Sequence, residues 1–254
     1  MNITDRHQLI LQKLQENGRV DIQELSDSLQ VSGVTIRKDL KLLEEKKLLF
    51  RTKGGGSTQN PYTIEKPINE KESVKTEEKK KIAKAAMNLI GMNDSIIIGS
   101  GTTTFELARA LYPSKHITVI TPALKVALEL CNRPHVDVLQ IGGLIHQNSS
   151  SAAGSFAERL LDDISCGVLF IGVDGIDPEF GLSISNLAEA SLIMKMITLA
   201  QTVVVMADSS KFDRRGIGRI CSLEQVDYII TDNLVSLDTV KMVTDRGVKV
   251  IISE

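Results

Sequence analysis

Apolar residues recur at intervals of three and four along the first 45 positions, then from residue 95 give way to short unbroken runs. The first spacing predicts helices with one buried stripe, the second strands buried on both faces. Leu9, Ile10 and Leu14 mark a helix from about Asp5, which Gly18 stops. Asp21 is suited to cap a second helix. Glu24 three residues on completes a capping-box pattern, with Ile22, Leu25 and Leu29 on the apolar side. Val31 makes the turn. Ser32 caps a third helix whose apolar positions are Val34, Ile36, Leu40 and Leu43. Leu48 to Gly56 then reads as two short strand-like runs ending in glycines. Helix, tight turn, helix and a basic wing suit a winged helix-turn-helix, whose second helix enters a DNA major groove by its N-terminal residues.

From about residue 77 the pattern changes. A helical stretch (Ile82, Ala85, Ala86, Leu89) precedes the run Ser95–Gly99. Further apolar runs lie at 117–120, 136–141, 168–171, 203–205, 228–230 and 248–252, with helical patterns such as 105–111, 124–130 and 188–199 between most of them. Strands alternating with helices predict a Rossmann-like α/β domain with a mostly parallel sheet. Ligands in such sheets bind beyond the carboxyl ends of the strands, so the polar residues that follow each run are the ones to inspect. Between the two patterns, Ser57–Pro61 is a breaker cluster, and the mixed charges from Glu70 to Lys81 read as a solvated linker running into the exposed face of a helix. The expected organisation is a reader at 1–57, a linker at 58–76 and an α/β domain at 77–254.

The 254 residues, 42% hydrophobic and 24% charged, have the composition of an ordinary globular chain. No apolar run approaches the roughly 20 residues that cross a bilayer, and the N-terminus lacks the apolar stretch of a secretory signal. Cys131, Cys166 and Cys221 are widely spaced, without the pattern of a disulfide framework or a zinc site. A reducing, cytoplasmic location is expected. The net charge of −2 taken whole argues against nucleic acid. Counting by segment changes that: residues 1–60 hold 10 basic and 8 acidic side chains, 61–81 hold 6 and 5, and 82–254 hold 14 and 19. A mildly basic reader precedes an acidic body.

On the third helix, Ser32 and Thr35 stand in the first turn, where hydroxyls and backbone N–H groups bind phosphate oxygens. Arg37 and Lys38 lie one turn in, within reach of guanine edges or the backbone. Asp39 is assigned structural work, since phosphate would repel it. Arg51 and Lys53 give the wing cations for phosphates beside the groove. The competing reading is a small helical docking module with an ordinary charged face.

At the strand ends, Ser100, Gly101, Thr102 and Thr103 run straight into a helix, as a phosphate cradle does. The stretch is neither a Walker A loop nor a dinucleotide fingerprint, and an ordinary capped strand-to-helix turn remains open. Asp174 and Lys211 follow later strands, and Glu189 begins a helix after Ser185 and Asn186. Lys211 suits a phosphate or sugar oxygen, and the two carboxylates suit hydroxyls or proton transfer; turn capping or a surface pair is the alternative. The four histidines show no metal-ligand spacing, so no metal or cofactor is expected.

Taken together the chain resembles the DeoR family of bacterial transcription regulators. The likeness is carried by Val31-Ser32, Thr35-Ile36-Arg37, Asp39-Leu40, the wing Arg51 with Gly54-Gly55, Ser100 to Thr103, Gly142-Gly143, Gly172 with Gly175-Ile176, Asp208 with Ser210-Lys211-Phe212, and Ile230-Thr231-Asp232. The resemblance implies a winged helix-turn-helix followed by a sensor domain similar to ribose-5-phosphate isomerase and glucosamine-6-phosphate deaminase. It also implies repression of carbohydrate-use genes, relieved by a phosphorylated sugar. Carried onto this chain it puts Thr35, Arg37 and Lys38 in the recognition helix, so that with the residues read above the expected DNA contacts are Ser32, Thr35, Arg37, Lys38, Arg51 and Lys53. It gives effector contacts at Ser100, Gly101, Thr102, Thr103, Asp174, Glu189 and Lys211. The implied partners are operator DNA, a sugar phosphate and further copies of the chain, as a dimer or tetramer. Three positions depart from the family pattern: Gly99 stands where Asp is usual, Pro122-Ala123 where Asn-Ser is common, and Lys53 where His is frequent. A sugar-phosphate isomerase or deaminase with an added N-terminal module is the alternative function.

Overall fold

The computed structural model describes residues 2–46, 48–52, 54–58 and 67–254. The chain divides into two compact units, Met1–Ile64 and Glu65–Glu254. The first contains α1 (Ile3–Asn17), β1 (Arg19–Asp21), α2 (Ile22–Leu29), α3 (Gly33–Glu45), β2 (Phe50–Thr52) and β3 (Gly55–Ser57). Each helix starts on a side-chain cap: Asn2 accepts from the Asp5 N–H, Asp21 from those of Gln23 and Glu24, and Ser32 from that of Thr35. Gly18, at φ 69°, ends α1 in the left-handed conformation that favours glycine.

Ile36, Leu40 and Leu43 of α3 pack with Ile10, Leu14 and Leu25 into one core. Val34 leaves the apolar set expected of α3. It lies about 200° around the helix from Ile36 and is 60% exposed. Strand β1, which no apolar run announced, pairs with β3 in a three-stranded sheet ordered β1-β3-β2. At Gly55 a Cβ would fall 1.8 Å from the Val20 carbonyl oxygen, so only glycine lets these two strands meet. Asp39 is buried; it accepts from Arg6 Nε (2.5 Å) and Nη2 (2.9 Å) and lies 3.1 Å from His7 Nε2, clamping α3 to α1.

The second unit runs α4 (Ile68–Glu72), α5 (Thr76–Ile90), β4 (Ser95–Ile98), α6 (Thr102–Ala110), β5 (Ile117–Thr121), α7 (Leu124–Leu130), β6 (Val136–Gln140), β7 (Leu144–His146) and β8 (Ser151–Ala153). It continues α8 (Ser155–Arg159), β9 (Cys166–Ile171), β10 (Gly175–Asp177), β11 (Gly181–Ile184), α9 (Leu187–Ile197), β12 (Ala200–Met206), β13 (Gly218–Cys221), β14 (Tyr228–Asp232), α10 (Leu237–Thr244) and β15 (Lys249–Ser253). Among the described residues the seven apolar runs become one parallel sheet, ordered β6-β5-β4-β9-β12-β14-β15. Successive residues of each strand serve opposite faces. Ile97, Leu169, Val205 and Ile229 join Ile193 and Met196 of α9, while Ile96, Phe170, Val204 and Ile230 join Ile82 and Ala86 of α5 and Leu107 of α6. An antiparallel sheet β10-β11-β13 and a hairpin β7-β8 are additions that segments of only three or four residues did not announce.

The strand order reverses between β4 and β9: the chain proceeds outward from β4 to β6, then returns to β9 and proceeds the other way. Such a switch point leaves a crevice at the carboxyl ends, because the two loops leaving it diverge to opposite faces. The mixed-charge stretch expected to be a solvated linker departs from that expectation over 67–76. Ile68 of α4 is 6% exposed and its N–H donates to the Asn148 carbonyl at 2.6 Å, so these residues pack as part of the second unit. Apolar Ile68 inside a charged run is the physical reason.

Candidate functional site

On the reader unit, Ser32, Val34, Arg37 and Lys38 are exposed on α3, and Thr35 is half-buried. Ser32 Oγ accepts the Thr35 N–H at 3.2 Å and lies 3.0 Å from Thr35 Oγ1, so the two hydroxyls fix the start of the helix. Arg37 and Lys38 form no hydrogen bond or ion pair with another described residue, which leaves two cations one turn into an exposed helix. Arg51 on β2 is tied to Glu44: its N–H donates to Oε1 at 2.9 Å and its guanidinium lies 3.7 Å from Oε2. Lys53, expected to be the second wing cation, lies outside the described residues. Val34, one of the four apolar positions of this helix, shares its exposed surface.

On the second unit the Ser100–Thr103 loop and Asp174 follow the two strands of the switch point, β4 and β9. The loop after β4 places Gly101 at φ 133°, a conformation open to glycine. The loop packs closely on the one after β9, where a Cβ at Gly172 would lie 3.4 Å from the Ser100 carbonyl oxygen. Thr102 and Thr103 are buried in the first turn of α6, and no side chain caps that turn. Asp174, two residues past Gly172, accepts from both the N–H (3.1 Å) and Oγ (2.8 Å) of Ser185. Lys211, on the short 3-10 turn after β12, has its Nζ 3.6 Å from Asp174 Oδ1. Asp174 and Lys211 are thus brought together. Glu189, in the first turn of α9, is buried and accepts a hydrogen bond from Ser149 Oγ near the β7-β8 hairpin.

The structure adds residues that strand-end reasoning missed. Lys71 Nζ donates to Asp174 Oδ1 at 3.1 Å. Lys75 Nζ donates to Ser209 Oγ at 2.8 Å and lies 3.2 Å from Asp208 and 3.5 Å from Asp232. Lys79 Nζ, buried, donates to the Lys71 carbonyl oxygen. Their signal was present in the sequence: lysines at 71, 75 and 79 recur every fourth position, the spacing of one helical face.

Burial raises the Asp174 carboxyl, but Lys71, Lys211 and the Ser185 hydroxyl outweigh it and hold the group at about 2. Asp208 and Asp232 are also held below the usual carboxylate range; burial opposes the shift, and serine and backbone donors with the nearby lysines overcome it. Burial lowers Lys211 and Lys79. The result is a desolvated cluster in which ammonium groups, carboxylates and hydroxyls alternate. It can accept hydroxyl donors and anionic oxygens at once.

Residues 6–61 match the DeoR-like helix-turn-helix domain, and residues 74–233 match the DeoR C terminal sensor domain. The lactose phosphotransferase system repressor of Lactococcus lactis subsp. lactis is 36% identical over 243 residues, 93% of each chain. The HTH-type transcriptional regulator GolR of Listeria innocua serovar 6a is 31% identical over 250 residues, 98% of each chain. Among solved structures, a D-ribose-5-phosphate isomerase in complex with phospho-erythronic acid aligns at a TM-score of 0.40 and 20% identity, over 54% of each chain. No helix among the described residues is long and apolar enough to cross a membrane. The relatives that match nearly the whole chain are named as regulators and repressors, not enzymes, and this chain belongs to the DeoR family of transcriptional regulators.

Proposed function

We propose that the chain is a cytoplasmic repressor of carbohydrate-use genes whose second unit binds a phosphorylated sugar and thereby releases operator DNA. The carrying observation is that the uncapped glycine loop at Ser100–Thr103 packs on the loop after β9, at the point where the sheet reverses its order, and that this second loop leads to Asp174, which pairs with Lys211 from after β12. In this reading Ser100, Gly101, Thr102 and Thr103 take the phosphate, Lys211 adds a cation, and Asp174 and Glu189 accept sugar hydroxyls. On the reader, Ser32, Thr35 and Lys38 hold phosphates and Arg37 reads a base edge, with Arg51 and Lys53 on the wing. Two or more copies bind together, since paired half-sites multiply modest single-site affinity.

The test is a gel-shift series on duplexes from the region upstream of the gene and its neighbours. Arg37→Ala is expected to weaken binding about 10- to 100-fold, the worth of a base-edge contact. A panel of pentose, hexose and hexosamine phosphates is expected to release the wild-type protein, while Lys211→Ala binds the duplex and no longer responds. Unchanged affinity of Arg37→Ala overturns the DNA assignment. A wild-type complex indifferent to the whole panel overturns the effector assignment.

A further inference from the structure

We propose that Lys71 and Lys75 are ligand-binding residues in their own right, forming a strap that trades its carboxylate partners for the anionic group of a polyhydroxylated phosphate ester. The inference rests on the sugar-phosphate reading above and extends it to a segment outside the strand ends. Both lysines precede the sheet in the chain, yet both reach its carboxyl edge: Lys71 to Asp174 after β9, Lys75 to Asp208 after β12 and Asp232 at the end of β14.

Three features favour exchange over a fixed structural pairing. The first is a shared acceptor. Lys71 and Lys211 converge on the same oxygen, Asp174 Oδ1, at 3.1 Å and 3.6 Å. Lys79 is buried beside them with a carbonyl oxygen as its acceptor, although an ammonium carries three donors. Glu72 and Glu106 also act on Lys79, and Arg214 on Lys211, so the crowding is local: two ammonium groups compete for one Asp174 oxygen, and a bound anion would give one of them a second acceptor. The second is exposure: the Lys71 and Lys75 side chains keep 31% and 22% of their surface, against 2–15% for the three aspartates, so the cations are the movable half. The third is chemical fit. If the ammonium groups turn to phosphate, Asp174, Asp208 and Asp232 need new hydrogen-bond donors, and sugar hydroxyls supply them. A sugar phosphate completes both halves of the exchange; inorganic phosphate completes one. Lys75 is also held at φ 54°, ψ 44°, an uncommon backbone state for a residue with a side chain, which its three side-chain partners help to fix.

The test uses the full chain and calorimetry with the same panel of sugar phosphates, with inorganic phosphate as the anion-only probe. For the tightest member of the panel, Lys71→Gln and Lys75→Gln are each expected to lose about tenfold or more in affinity, the scale of one charge-assisted contact. Lys71→Arg, which keeps the charge, is expected to retain binding, and inorganic phosphate to bind more weakly than the ester. In wild-type protein the ester is expected to change amide hydrogen exchange across residues 68–79, a readout that requires no variant to fold. If wild type binds the ester while both glutamine variants match it, or while exchange across 68–79 is unchanged, the strap is wrong and the effector reading stands. If no panel member binds wild type, that reading falls and the strap with it.

Discussion

The two units handle positive charge in opposite ways. On the reader, Arg37 and Lys38 stand on an exposed helix face without an ion-pair partner among the described residues. At the sheet edge, Lys71, Lys75 and Lys211 are each within 3.6 Å of a carboxylate. The difference follows from solvent. An exposed ammonium or guanidinium is neutralised by water and counterions, so it can wait for a polyanion at no cost to the fold. A half-buried one must be paired inside the protein, so any ligand has to compete with the protein's own carboxylates. The reader consequently gains affinity by adding contacts, and the second unit gains it by exchanging them.

The buried Arg6–Asp39 ion pair of the reader gives the largest test of that contrast. Arg6 and Asp39 make a two-point pair with side-chain exposures of 11% and 2%. Asp39→Ala would strand a guanidinium inside the helical core, a change that costs about 3–5 kcal/mol in comparable pairs. Urea unfolding followed by far-ultraviolet dichroism is expected to show the helical N-terminal unit melting at lower denaturant. A loss under about 1 kcal/mol would mean that the pair is hydrated and that the contrast between the units is weaker than drawn.

How far each unit could be read in advance also differs. The capped helices of the reader were legible because Asp21, Ser32 and Gly18 act within three residues of where they stand. The seven sheet strands were legible because full burial demands unbroken apolar runs. Strand β1 was not, since its pairing depends on Gly55 more than thirty residues away. In the second unit the strand-end rule found Asp174 and Lys211 but missed Lys71 and Lys75. A lysine in a charge-dense run reads as solvated until the fold brings distant carboxylates to it. Val34 shows that apolar character alone does not place a residue in the core; its position on the helix does.

The next effect in size concerns acid. Asp174 is held at about 2 against 3.8 when unpaired. Because the folded value is the lower one, folding favours the ionised form, and the resulting stabilisation is complete above about pH 4. It is lost as pH falls toward 2, and its full size is about 2 kcal/mol. Asp174→Asn is expected to flatten the fall in stability of the second unit between pH 5 and pH 2.5, by a difference of that order. Identical acid profiles for the two proteins would show that Lys71 and Lys211 do not lean on Asp174, and that the cations of this edge are as independent as those of the reader.

The smallest effect is the most discriminating, because it asks for almost nothing. Lys38 is exposed, pairs with no carboxylate among the described residues and sits outside the core. Lys38→Ala is therefore expected to change unfolding free energy by no more than about 0.5 kcal/mol. The same substitution removes one phosphate contact per reader, so the slope of log affinity against log salt should fall by about 1 per subunit. Few cations stand on this face, so the starting slope is itself expected to be modest, and loss of one contact is a large share of it. A side chain whose removal alters the salt slope and leaves stability untouched is a cation held in reserve for DNA. If Lys38→Ala destabilised the fold and left the slope alone, the reader would be using its positive charge as the second unit does, and the distinction between adding contacts and exchanging them would fail.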